Sequence, residues 1–462
     1  MPLNPHQLLD EKSAWVDRAL EQFLRSDPRD VPNLHDGVLY ALGLDQRDPA
    51  IRGKRIRPAL CLITCEALGG DTQKALPFAM AIELMHNFFL VHDDIEDGDQ
   101  FRRGRPSVWK RYGLAHAINI GDFLFTKVFA AFLSRRADTD GAETDGAGTA
   151  SAETAGADTD GVTNSAPSGV EDLPLQFALC RLLVETLEYT HVGQAQDINA
   201  LRSRDITIEQ YLEIVTNKTG YYLAAPMLGG AMVAGASPRT LEAIRNLGKC
   251  VGPVFQIVDD SIDLTDGKGR ETVGSDVREG KRSYLVAWAA SKASAASKAS
   301  AAASANASPS ERKISPSERK ISPSERKVSP SERKIFPSER KVSPSERKVS
   351  PSERKISPSE RKVSPSECKV SPSEREVSPS DREVSPSERD EMFRILDLPR
   401  EETTPEHVAW VRALFDRVGA IEAGRAHCRK LMDQAHAAMA NAPARLRDTL
   451  LTLFEALLDR KK

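Results

Sequence analysis

Aromatic residues make up only 6% of the 462-residue chain, and no segment alternates apolar and polar residues convincingly enough to read as a strand. Both shortages argue against a sandwich or barrel, whose strands draw on aromatic and β-branched residues. The six cysteines (Cys61, Cys65, Cys180, Cys250, Cys368, Cys428) contain no CxxC pair. Cys61 and Cys65 share a helix face at i, i+4, but no further Cys or His sits at zinc-site spacing, so they read as core. A net charge of −3 gives no electrostatic footprint for nucleic acid. The glycine patterns match neither a P-loop nor a dinucleotide fingerprint, which disfavours nucleotide chemistry. The longest weakly polar stretch, Ala224 to Ala236, is too short to cross a bilayer, so no transmembrane segment is expected. The opening MPLNPHQLLDEK has no basic region followed by an apolar run, so a cytoplasmic protein is expected. Ala, Leu, Glu and Arg are plentiful, and they favour an all-α class.

Two segments have compositions no packed core could use. Residues 137–172 carry nine acids and no basic residue, and read as an acidic flexible insertion. Residues 291–389 contain, from Ser308, twelve copies of a heptad SPSERK(I/V) that decays to SPSEREV and SPSDREV. A coiled coil fails because each heptad has one apolar position and a proline, which costs about 3 kcal/mol inside a helix. An extended, solvated, disordered insertion is expected. The remaining 327 residues would form one helical domain in three pieces, 1–136, 173–290 and 390–462. Helical spacing is plain in Leu241, Ile244, Leu247, Val251, Val254, Val258 and Ile262, read as one buried face. Pro253 inside it predicts a kink or a restart. Leu76 to Asp97 predicts a helix buried on most sides.

That helix ends in HDDIEDGD, and the second ends in VDDSIDLTDG, with Asp259, Asp260, Asp263 and Asp266 before Gly267. Acids at a helix C-terminus oppose the macrodipole, so something cationic must offset them. In each DDxxD the first and last Asp lie at i, i+4 on one face, so two such helices could hold hard, oxygen-liganded cations, magnesium above all. Basic residues answer them. Gly53-Lys54-Arg55-Ile56-Arg57-Pro58 precedes a helix, and Arg102-Arg103-Gly104-Arg105 follows the first acids. Lys218-Thr219-Gly220 and Gly280-Lys281-Arg282 add two more cationic spots. Arginine forks and lysine point charges suit phosphate oxygens.

The motifs GKRIRP, HDDIED with RRGRPSVW, GQAQDI, NKTG, FQIVDDSID and GSDVREGKRS, in this order, resemble those of the polyprenyl synthetase family, the trans-isoprenyl diphosphate synthases. The tail from Asp390, with GAIEAGRAHCRKLMDQA, is similar to that family's last helices. The resemblance implies an all-α barrel of antiparallel helices around a deep cavity, and a homodimer. It implies a prenyltransferase condensing isopentenyl diphosphate with an allylic diphosphate. Asp93 and Asp97, with Asp259 and Asp263, would hold Mg2+ against the allylic diphosphate and promote its departure. Lys54, Arg57, His86 and Arg103 match the isopentenyl diphosphate site. Arg102, Lys218, Thr219, Gln256 and Lys281 match the allylic site. Phe88 and Phe89, five and four residues before Asp93, match positions where bulky rings form the floor that limits elongation, here to fifteen or twenty carbons.

Two positions depart from the family pattern: Glu271 stands where a lysine is common, with Lys268 and Arg270 nearby, and Ser283 replaces threonine. A class I terpene cyclase shares the fold and the first acidic motif, but the second DDxxD and the isopentenyl-site cations argue against it. A non-catalytic partner subunit is disfavoured because both acidic motifs are intact. A third alternative makes the repeat a recruiting tail on a retained core.

Overall fold

The apolar run beginning at Leu76 becomes a 25-residue helix, Thr72–Glu96, started by Asp71, whose side chain accepts from the Gln73 amide at 2.9 Å. Its sides are apolar almost all round, so neighbours must cover it everywhere. The computed structural model describes residues 4–46, 48–133, 173–265, 273–293 and 383–458. All belong to one unit, Met1–Ala302 with Ser378–Lys462. In chain order the helices are α1 (Pro5–Arg25), α2 (His35–Leu42), α3 (Pro49–Arg52), α4 (Ile56–Ala67), α5 (Thr72–Glu96), α6 (Val108–Tyr112), α7 (Leu114–Leu133), α8 (Leu173–Ala200), α9 (Ile208–Val215), α10 (Tyr221–Val233), α11 (Pro238–Thr265) and α12 (Ser275–Arg278). They continue with α13 over residues 284–293, α14 (Pro386–Leu396), α15 (Pro405–Arg417), α16 (Ala420–Met439) and α17 (Ala444–Leu458). The all-α expectation holds. Among the described residues the one exception is an antiparallel hairpin of two-residue strands, Phe101–Arg102 with Arg105–Pro106.

α5 packs against α4, α7 and α10, while α11 packs against α10 and α16. One apolar cluster gathers side chains of α1, α2, α4, α5, α7, α8, α10, the first half of α11, and α17. A second gathers Tyr211, Ile257, Leu264, the helix 284–293 and the chain from Val384 to Ile421. By length and composition α5 and α7 could each cross a membrane, which Ala224 to Ala236 did not foreshadow. α5 is largely buried in the core and ends in acids.

α11 runs without interruption through Pro253. Its buried face follows the predicted stripe through Ile244, Leu247, Val251 and Val254 and then rotates. Ile257, Asp260, Asp263 and Leu264 are buried, while Val258 and Ile262 are only half-buried. Ile262 lies five full turns beyond Ile244 and points the same way, so it is the packing partner that changes: Ile244, Leu247 and Val251 join the first apolar cluster, Ile257 and Leu264 the second.

The acidic stretch and most of the repeat lie outside the described residues. The repeat's expected boundary at 389 is corrected. The last heptad is a helix start: Ser385 Oγ accepts from the Glu388 amide, and the Glu388 carboxylate accepts from the Ser385 amide at 2.9 Å, with Pro386 in the first turn of α14. This is a capping box, which the heptad's SPSE spells out. Val384 before it is fully buried, and Arg389 donates to Asp205 at 2.7 Å.

Candidate active site

The acidic end of α5 divides its carboxylates by face. Asp94 points inward and is gripped by Arg102, whose Nε lies 2.8 and 2.9 Å from its two oxygens. Burial still pushes Asp94 up to about 6, against the pull of Arg102. Asp93 and Asp97, one turn apart, are half-buried on the neighbouring face. Burial raises the Asp93 carboxyl against the pull of Lys218 and Arg102. Burial likewise raises Asp97, opposed by Lys281 and reinforced by the charge of Asp93. The cationic offset demanded by the sequence is present. Lys281 Nζ stands 3.9 Å from Asp97, 3.5 Å from Asp276 and 2.6 Å from Glu279. Arg400 donates to Asp99 at 2.7 Å.

Lys218 reaches this site from a single π-helical turn, Thr216–Gly220, inserted between α9 and α10. Such turns tend to mark functional positions. Close packing leaves no room for side chains around it: a Cβ on Gly193 would fall on the Lys218 backbone, and one on Gly252 would fall on Gly220. Lys218 Nζ bonds Asp197 at 2.7 Å. Burial pulls that ammonium down, yet the carboxylates of Asp197 and Asp93 leave it raised, so it stays charged. Asp197 belongs to GQAQDI but was not among the sequence candidates. Thr219 is half-buried in the same turn.

A second station lies beside the first. Gly53, Lys54, Arg57, Glu83, His86 and Arg103 line a cleft of about 470 Å³. Arg103 is aimed there by the hairpin, whose two turn residues both have positive φ, 53° for Arg103 and 74° for Gly104, as a two-residue primed turn requires. Burial and then the charge of Arg55 lower Arg103 to about 10. Arg57 lies 3.4 Å from His86 Nε2 and over the Tyr222 ring at 4.7 Å. Burial and then Arg57 hold His86 well below the usual imidazole range, hence neutral. Lys54 is exposed. Arg55, between them in sequence, turns away from solvent: it bonds Asp17 at 2.8 Å and Glu83 at 2.6 Å and anchors the loop. Arg105 likewise is taken by Asp45 and the Tyr40 carbonyl.

The second acidic motif departs from expectation. Asp259 is exposed near the end of α11. Asp260 is buried and accepts from Tyr211 Oη at 2.8 Å, Gln256 Nε2 at 3.0 Å and the Tyr284 amide at 3.2 Å. Gln256 is therefore occupied by a carboxylate. Asp263, expected to face a cation, is fully buried; its oxygens accept from Ser275 Oγ and, at 3.0 Å, from the Asp276 amide. The rotation of the α11 face turned it inward, where it holds the start of α12, the helix that carries Asp276 and leads to Lys281. Asp266, Lys268, Arg270 and Glu271 lie outside the described residues. Ser283 directly precedes the helix 284–293.

Below Asp93, Phe88 and Phe89 are buried with ring centres 4.8 Å apart. Phe88 meets Phe125 at 5.2 Å, and Phe89 meets His191 at 5.2 Å and Tyr222 at 5.6 Å.

Among the described residues no three His, Cys, Asp or Glu groups converge as a ready-made metal cage. The donors at hand are hard carboxylate oxygens on one face, with ammonium groups beside them. This suits magnesium, which keeps several waters and is completed by substrate phosphates.

Residues 48–316 match the family model described as Polyprenyl synthetase. A short chain isoprenyl diphosphate synthase of Methanothermobacter thermautotrophicus is 36% identical over 244 residues, 52% of this chain and 64% of that protein, so the chain spans just under two thirds of this relative's length. A geranylgeranyl diphosphate synthase of Methanosarcina mazei is 33% identical over 294 residues, 62% of this chain and 76% of that one. In fold, the chain is similar to a polyprenyl synthase of Caulobacter crescentus complexed with calcium and isoprenyl diphosphate (TM-score 0.62, 20% identity, covering 99% and 97% of the two chains).

Proposed function

The chain belongs to the polyprenyl synthetase family, and on that premise we propose that it condenses isopentenyl diphosphate with an allylic diphosphate to a trans-prenyl diphosphate of fifteen or twenty carbons. The observation that carries this reading is the pairing of two stations. One is the carboxylate face of Asp93 and Asp97 bounded by Lys218 and Lys281. The other is the adjoining cationic cleft of Lys54, Arg57 and Arg103. One diphosphate must leave its carbon and the other must stay attached, so two stations of different chemistry are what the reaction needs.

At the first station a bound divalent cation, magnesium by its fit to the donors, supplies neutralisation of charge developing on the departing diphosphate. Asp93, Asp97 and the exposed Asp259 would hold it. Lys218 stays charged and adds a fixed positive end, with Lys281 beside it, aimed where negative charge grows. Lys54, Arg57 and Arg103 grip the isopentenyl diphosphate. Neutral His86 presents an imidazole that competes little for anions. Phe88, Phe89 and Tyr222 wall the apolar space, excluding water from the reacting carbons. The two rings below Asp93 support a short product, as do the relatives named short chain and geranylgeranyl diphosphate synthases. The apolar outer faces of α7 and α8, with Leu114, Ile118, Phe177, Val184 and Val192 exposed, support a homodimer.

The test is incubation of the full chain with isopentenyl diphosphate, each allylic diphosphate in turn, and magnesium, followed by chain-length analysis of the dephosphorylated products. Asp93→Ala should lower turnover by at least about 10²-fold with the fold intact. No prenyl product from any pair, or undiminished turnover in Asp93→Ala, defeats the reading.

A further inference from the structure

The matched family stretch ends at 316, yet one cation on the acidic end of α5 comes from far beyond it. Arg400 opens a short 3-10 turn, Arg400–Glu402, between α14 and α15. Its Nη1 donates to the Asp97 carbonyl at 3.2 Å and to the Asp99 carboxylate at 2.7 Å, and it stands 3.8 Å from Glu279 Oε1. Glu279 Oε2 in turn lies 2.6 Å from Lys281 Nζ, and Lys281 faces the Asp97 carboxylate at 3.9 Å. Asp97 is thus addressed twice through one circuit of alternating charge. Arg400 holds its main chain directly, and through Glu279 it holds the lysine that faces its side chain. Asp97 is the C-cap of α5, followed by Gly98 at φ 67°. Its peptide is therefore a helix terminus, whose last carbonyls have no intrahelical partner and where the macrodipole adds negative potential.

The segment that delivers Arg400 is itself tied down. Met392, Phe393, Ile395 and Leu396 of α14 are buried, Thr403 Oγ1 donates to the Pro399 carbonyl at 3.2 Å, and Arg278 donates to the Thr403 carbonyl. The backbone from which Arg400 reaches out is therefore fixed, and its three contacts converge on the one Nη1.

We propose that Arg400 is a positioning residue for Asp97, so that the chain downstream of the heptad repeat completes the cation and diphosphate station. This rests on the function proposed above, and the experiment separates the two. Full-length wild type, Arg400→Met, Arg400→Lys and Ser385→Ala are compared. Three quantities are measured: melting temperature without ligand, the rise in melting temperature on adding magnesium with inorganic diphosphate, and the magnesium dependence of turnover.

The expected result is that Arg400→Met needs about tenfold more magnesium for half-maximal turnover and loses most of the ligand-induced rise, since a charged hydrogen-bond donor has been removed from the circuit. Arg400→Lys, which keeps the charge without the fork, recovers part of both. Ser385→Ala lowers the unliganded melting temperature and leaves the magnesium dependence at the wild-type value. The proposal is overturned if Arg400→Met keeps wild-type magnesium dependence, or if Ser385→Ala raises the magnesium requirement as much, which would make the effect one of stability alone. Should Arg400→Met fail to fold, Arg400→Gln, which is shorter and uncharged and so breaks the charge circuit while keeping a polar side chain, takes its place under the same criteria. If wild type shows neither a magnesium-diphosphate shift nor turnover, the proposed function has failed instead.

Discussion

Val384 is the apolar residue of a heptad whose composition alone reads as solvated chain, yet it is fully buried and the heptad that follows it caps α14. Val384→Ala removes two carbons from a packed site. At about 0.8 kcal/mol per buried methylene, plus a cavity contribution, the loss is about 2 kcal/mol. Ser385→Ala removes the N-cap acceptor and costs about 1 kcal/mol. The Glu388–Arg417 pair, both partners more than a third exposed, adds at most a few tenths. With roughly 320 described residues and an unfolding entropy of about 2.1 cal/mol/K per residue, 2 kcal/mol corresponds to a fall in Tm of about 3 °C. The assay is thermal unfolding followed by circular dichroism on the full chain, with urea unfolding as the reversible check. Asp390→Ala, exposed on the same helix, is the control and should stay within about 0.5 kcal/mol of wild type. If Val384→Ala unfolds with the control, residues 383–389 do not brace the core and the corrected boundary of the insertion is wrong.

Phe89→Ser should open the space below Asp93 and lengthen the product by one or more five-carbon units; an unchanged product distribution in an active enzyme puts the floor elsewhere. Arg55→Met should cost about 3–5 kcal/mol, because Glu83, whose side chain is 2% exposed, would keep a buried charge without its partner; the double variant with Glu83→Gln should recover part of this in urea unfolding, and a double variant no more stable than the single one counts against it. His86 is held neutral in the folded chain, so the unfolded chain binds its proton more readily below about pH 6.5. Its contribution is complete above that pH and is lost as pH falls through it, at up to about 1.4 kcal/mol per unit. His86→Gln should flatten the acid side of the stability profile between pH 6.5 and 5, and an unaltered slope would refute the assignment.

Much of the site was legible because its chemistry is local. HDDIED, NKTG and GKRIRP each carry their charges within a single helix end or turn, and the structure brings Asp93, Asp97, Lys218 and Lys281 to one place. What failed was the assignment of facing. The i, i+4 spacing of the second DDxxD implied that Asp259 and Asp263 share one face toward a cation, whereas Asp259 is exposed and Asp263 is buried against Ser275 and Asp276. Of the arginines in RRGR, Arg102 is spent on Asp94 and Arg105 on Asp45, leaving Arg103 at the cleft. Spacing places a side chain on a helix, but its neighbours decide whether it is buried.

The sequence by itself determined the helical class, the two acid-rich helix ends and the cations that must answer them, because propensity, periodicity and charge act over a few residues. Tertiary structure alone decided which carboxylates meet the cleft, that Val384 before the last SPSER heptad is buried, and that Arg400 sits on Asp97 and Asp99 from about three hundred residues away in the chain. Those outcomes depend on which surfaces pack together. A buried charge takes the partner that packing brings within reach, and no local pattern encodes a partner so distant.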